Sequence, residues 1–138
     1  MKTFAFIFFL LLASGIPINA QTNESDLTFA FSQLKGNGAV PFSKAIYQTD
    51  TESARNLVDH LTPLIQGSGN YLGFEIVSRH ALTKRIERVV IVIYFENLPV
   101  YMRIDAYNNT KSQIFLTAKF SKDAAEILPF DLISAAGK

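Results

Sequence analysis

A long apolar segment near the middle of the chain predicts a β-hairpin. Val89 to Phe95 is an unbroken run of β-branched and aromatic residues, which favours a strand over a helix. A two-residue turn at Asn97-Leu98 would lead into a second strand, with Pro99 at the edge of the turn because it has no N–H to donate. On one face this register pairs only apolar residues: Phe95 with Val100, Ile93 with Met102, and Ile91 with Ile104.

Helical spacing dominates the part of the chain that precedes the hairpin. A first helix carries an apolar stripe and ends at Gly36-Asn37-Gly38, and a second short one begins at Pro41. Thr49 and Glu52 have the spacing of a capping box, which predicts the start of a third helix. The third helix has the clearest apolar stripe: Ala54, Leu57, Val58, Leu61, Leu64 and Ile65.

Alternating residues on both sides of the hairpin predict two more strands. One begins at Tyr71, and the other follows a tight turn at Asn108-Asn109-Thr110. We expect Ile104 to pair with Ile114 and Met102 with Leu116. This pairing would place the apolar residues of the last strand on the same apolar face as those of the hairpin. The predicted fold is therefore α+β, with N-terminal helices packed on a curved four-stranded antiparallel β-meander.

The N-terminal residues 1–20 are typical of a secretory signal peptide. Lys2 is followed by the short apolar run Phe4–Ala13 and by residues that favour cleavage after Ala20. The run is too short to cross a bilayer comfortably, so we expect export to the periplasm or the medium with no membrane association after cleavage.

Residues 21–138 then predict a single domain, in which the tail 131–138 frays. The whole chain has 13 basic and 12 acidic residues, and this balance argues against nucleic acid as a partner. The absence of cysteine excludes disulfide scaffolds and thiol catalysis. We expect no cofactor and no metal.

The titratable residues of the sequence form no recognisable catalytic pattern. His60 lies off the apolar stripe of its helix, and His80 lies near a strand end beside Arg79. A polar group on one sheet face is the main alternative: Glu75, Tyr94, Tyr101, Arg103 and Asp105. We interpret this group as a surface network rather than an active site, and we assign no catalytic residue.

The two predicted faces of the sheet suggest two kinds of binding. The face under the helices would line an apolar pocket through Phe74, Ile93, Met102 and Leu116. The other face would form a homodimer interface through Val92, Tyr94, Tyr101, Arg103 and Phe115. Aromatic and arginine side chains among aliphatic ones are typical of interface cores. In the alternative arrangement, the C-terminal tail with Leu128 and Phe130 covers this second face and the protein is a monomer.

Helices followed by a meander of long strands resemble the nuclear transport factor 2-like superfamily, also called cystatin-like or SnoaL-like. The residues that carry the resemblance are Leu27 to Gly38 and Tyr94 to Tyr107, and the latter segment is similar to small exported bacterial members without an assigned activity. The superfamily includes isomerases, dehydratases, cyclases, ligand carriers and adaptors, so membership would not by itself indicate the function. The first hypothesis is an exported non-catalytic binding or interaction domain. The alternatives are a small lyase or isomerase with a pocket carboxylate or tyrosine, and a carrier of an apolar small molecule.

Overall fold

Three helices precede a four-stranded antiparallel sheet in the computed structural model, which describes residues 24–48, 50–109 and 111–129. The elements are α1 (Glu24–Asn37), α2 (Ala39–Ile46), α3 (Thr51–Ile65), β1 (Tyr71–Ala81), β2 (Ile86–Phe95), β3 (Val100–Asn108), β4 (Gln113–Ser121) and a short 3-10 helix (Ala124–Glu126). The strands lie in the order β1-β2-β3-β4. The predicted α+β class and the meander are confirmed. The predicted signal peptide, Phe130 and the tail 131–138 lie outside the described residues.

The helix boundaries follow local chemistry. Gly38 separates α1 from α2 with a φ of 79°, a left-handed conformation that glycine adopts without a Cβ clash. At the start of α3 the cap is Asp50, whose Oδ1 accepts from the Ser53 backbone N–H at 3.0 Å. The predicted capping box at Thr49 and Glu52 is therefore wrong by one residue.

The helices bury their apolar stripes against one face of the sheet. Phe31 of α1 stacks on Phe74 of β1 with ring centroids 4.3 Å apart, and it also packs on Phe42 of α2 at 5.2 Å. The main strand residues of this core are Val89, Ile91, Ile93, Val100, Met102 and Ile104. We call this side of the sheet the helix face and the opposite side the second face.

The hairpin of β2 and β3 has the predicted faces but not the predicted register. Ile93 lies opposite Val100 and Ile91 opposite Met102, an offset of two residues from the expected pairing. After Ile93, the chain stays paired with β1 through Phe95, and Glu96 and Asn97 then bond to the segment before β1. The Glu96 N–H donates to the Asn70 carbonyl at 3.0 Å, and the offset keeps the faces because side chains alternate with a period of two.

The prediction for β4 is wrong in a more consequential way. Asn109 Oδ1 accepts hydrogen bonds from the backbone N–H groups of Lys111 and Ser112, both at 2.7 Å. The turn therefore lies closer to the C-terminus than predicted. The paired residues are Ile104 with Ala118 and Met102 with Phe120. A bulge at Leu116 interrupts the alternation. Ile114 and Leu116 are consequently 49% and 46% exposed, whereas both were expected in the core.

Candidate functional site

The second face combines a buried centre with an accessible rim. Val90 and Val92 lie at its centre and are only 1% and 8% exposed. Tyr94 is 40% exposed, and its hydroxyl donates to Glu75 Oε2 at 2.9 Å. This hydrogen bond is the main cause that raises the pKa of Tyr94, because it favours the protonated phenol. The accessible part of the face thus includes the aromatic ring of Tyr94 and the carboxylate of Glu75.

An ion pair crosses the second face between β2 and β3. The guanidinium of Arg88 donates to both carboxylate oxygens of Asp105, at 2.7 and 2.8 Å. These bonds lower the pKa of Asp105 and raise that of Arg88. A general acid or base near neutral pH would require a carboxyl group with a raised pKa. Asp105 is shifted in the opposite direction, which fits a structural pair.

The predicted interface residues are not all on one side. Val92, Tyr94, Tyr101 and Arg103 lie on the second face, where Tyr101 and Arg103 are half-buried. Phe115 lies opposite Ala106 and belongs to the core under the helices, at 8% exposure. Its expected place on the second face is therefore wrong. The reason is the bulge at Leu116, which reverses the alternation between Phe115 and the residues after it.

The predicted pocket residues are packed rather than arranged around a space. Ile93 and Met102 are fully buried in the core, and Phe74 is covered by the ring of Phe31. None of these three lines the clefts beside β4 or the one between α2 and α3. Leu116 does line clefts, but at the edge of the sheet.

Two adjoining depressions follow strand β4, and we call them together the β4 cleft. The first, of about 470 Å³, lies between α3 and residues 116–120, and the second, of about 410 Å³, lies between α1–α2 and residues 112–116. Tyr47 and Leu116 line both. The cleft therefore follows almost the whole length of β4.

Tyr47 lies at the junction of the two depressions. Burial raises its pKa, a backbone hydrogen bond from Ala118 opposes this shift, and the carboxylate of Asp50 adds to it. The phenol consequently stays protonated at neutral pH. Sequence reasoning did not single out Tyr47, because no local pattern shows that the residue after α2 meets the backbone of β4.

The two ends of the β4 cleft carry different charges. Asp26 and Asp50 line the end near the β3–β4 turn. Hydrogen bonds from Ser53 lower the pKa of Asp50, so this carboxylate is ionised at neutral pH. Lys119 and His60 line the other end. The cleft thus has two carboxylates at one end and the ammonium group of Lys119 at the other.

The two histidines are both exposed and lie on separate elements. His60 Nδ1 lies 2.8 Å from the Asn56 carbonyl oxygen one turn earlier in α3, and His80 lies in β1. Among the described residues, no three His, Asp or Glu side chains come together in a group that could hold a metal ion.

Comparisons with known proteins add no relative to this geometry. No protein-family model, no curated protein and no solved structure matches the chain. Within the described ranges, no helix is both long and apolar enough to cross a membrane.

Proposed function

We propose that the protein is an exported, non-catalytic interaction domain that forms a homodimer through the second face of its sheet. The observation that carries this proposal is the one-sided packing of the helices. The three α-helices pack on the helix face, and Tyr94, Tyr101 and Arg103 lie on the other side of the sheet. A two-fold axis through this face would bring the same residues of two copies together, as an isologous interface requires.

The composition of the second face supports a protein partner. Tyrosine and arginine are the residues that most often contribute strongly to binding at interfaces. The Arg88–Asp105 pair is satisfied within one chain, so a second copy could cover it without leaving a buried charge unpaired. Because Val90 and Val92 are already buried, the contact would rest on the more accessible residues Tyr94, Tyr101 and Arg103.

The proposal retains the resemblance to the nuclear transport factor 2-like superfamily. Helices that precede an antiparallel meander support it, as does the use of this sheet face for dimerisation by many members. The superfamily's enzymes and ligand carriers provide the two alternatives. They receive less support here, because Asp105 has a lowered pKa and because Ile93 and Met102 lie in packed core.

The dimer is tested by light scattering on residues 21–138 at micromolar concentration. We expect twice the monomer mass for the wild type and monomer mass for Tyr101→Glu, since the new carboxylate would be buried against its own copy. Tyr94→Glu, at a more exposed position of the same face, should also give a monomer. Phe29→Glu is the matched control, because Phe29 is an exposed aromatic residue on α1. A wild-type monomer, or a dimer that persists in both tyrosine variants, would contradict the proposal.

Export is tested separately by N-terminal sequencing of the protein secreted from its source. We expect the mature chain to begin at Gln21 or within a residue or two of it. Secreted material that still carries Met1 would show that residues 1–20 are not removed.

A further inference from the structure

We propose that the β4 cleft is a binding site for an extended peptide segment, which lies with its backbone along the free edge of β4. This site lies at the β4 edge of the sheet, whereas the proposed dimer contact rests on Tyr94, Tyr101 and Arg103. Its occupant is a polypeptide strand of about eight or nine residues. The length follows from the nine residues of β4 and the rise of about 3.3 Å per residue in a strand.

Strand β4 lines the cleft with its edge rather than with one of its faces. A cleft above one face of a strand is lined by alternate residues, since successive side chains point to opposite faces. The β4 cleft is instead lined by every residue from Ser112 to Phe120. It therefore meets the strand at its edge, where backbone groups as well as side chains are accessible.

The β4 edge that faces the cleft has no strand partner in the described sheet. β4 is the last strand of the order β1-β2-β3-β4 and pairs only with β3 among the described strands. A sheet edge presents backbone N–H and C=O groups that an added strand can pair with.

The side chains that line the cleft indicate which side chains the bound peptide should carry. Ile114 and Leu116 are large apolar residues, each about half exposed, and they line the cleft near its middle. They would pack against alternate apolar residues of an added strand. Asp26 and Asp50 at one end favour a Lys or Arg of the peptide there, whereas Lys119 at the other end favours an acidic residue. The peptide is thus apolar in its middle and oppositely charged at its ends.

The probe is a fluorescein-labelled nine-residue peptide of alternating valine and threonine, with lysine at one end and glutamate at the other. Binding is followed by fluorescence anisotropy and by the backbone amide spectrum of the ¹⁵N-labelled protein. We expect amide shifts concentrated in residues 112–120 and in α3. Asp26→Lys should weaken binding by about fivefold, the upper range for an exposed ion pair. A peptide with prolines in place of the threonines should not bind, because proline cannot donate to a ladder.

The decisive variant is Leu116→Glu, which places a charge in the middle of the cleft and should abolish binding. Leu72→Glu is its matched control, since Leu72 is an exposed leucine on β1, the opposite edge strand. Both variants are first checked for a folded amide spectrum. No binding at millimolar peptide, equal binding by the proline peptide, or equal binding by Leu116→Glu would each overturn the proposal. The mass of the protein does not enter this test, so its result is separate from that of the dimer experiment.

Discussion

Ile93 is the residue whose truncation should reveal most clearly which face of the sheet holds the core. It lies in the central strand β2, between Phe74 of β1 and Val100 of β3, and it is fully buried. Helices cover this position, so Ile93→Ala would leave a space that the neighbours can fill only in part.

The expected loss of stability follows from two contributions. Isoleucine has three more side-chain carbons than alanine, and at about 0.8 kcal/mol for each buried methylene the lost transfer free energy is about 2.4 kcal/mol. The remaining cavity adds a further cost, so the total should lie in the upper part of the range of about 2–5 kcal/mol for buried isoleucine truncations.

The assay is urea unfolding of residues 21–138, followed by circular dichroism. Ile114→Ala is the matched control, because it removes the same atoms from a β-strand position that is about half exposed. We expect the control to cost less than about 1 kcal/mol. Equal losses at the two positions would refute the assignment of Ile93 to the helix face and of Ile114 to the surface.

Two further substitutions test local features of the fold. Asp105→Asn should lower the free energy of unfolding by about 1–3 kcal/mol at neutral pH. The pKa of Asp105 is lowered in the folded state, so its contribution to stability is present above the unfolded-state pKa and is lost as the pH falls through the folded-state pKa. Urea titrations of wild type and variant should therefore converge in acid. Asp59→Asn, at an exposed position of α3, is the control and should change the free energy of unfolding by less than about 0.5 kcal/mol at neutral pH. Gly69→Ala should cost at least about 1 kcal/mol more than Gly67→Ala in the same assay, because both glycines have positive φ but only at Gly69 would the new Cβ lie 2.9 Å from the Glu96 Cβ. Equal costs would show that this contact is relieved without strain.

The sequence was sufficient to predict the fold class, because each element carries its own periodicity. The apolar stripe of α3 and the β-branched run of β2 are local patterns, and each requires only that one side of the element meet a core. The faces of β2 and β3 were also predictable. An error of two residues in their register leaves every side chain on its face, so Ile93 was correctly placed under the helices.

Residues distant in sequence decided the features that the pattern did not show. The register of β2 depends on backbone hydrogen bonds from Glu96 and Asn97 to Asn70 and Ser68, which no local signal reports. The carboxylate of Glu96 also accepts hydrogen bonds from the backbone and side-chain N–H groups of Asn70, which adds to the same contact.

The bulge at Leu116 was the feature with the largest consequences. One extra residue reverses the alternation of a strand, so the apolar positions Ile114 and Leu116 became surface while Phe115 entered the core. Leu116 at the bulge and Tyr47 line both parts of the β4 cleft. Strand alternation is a property of the local backbone and can be predicted from sequence. A bulge and a cleft are properties of how two elements meet, and only the tertiary structure determines them.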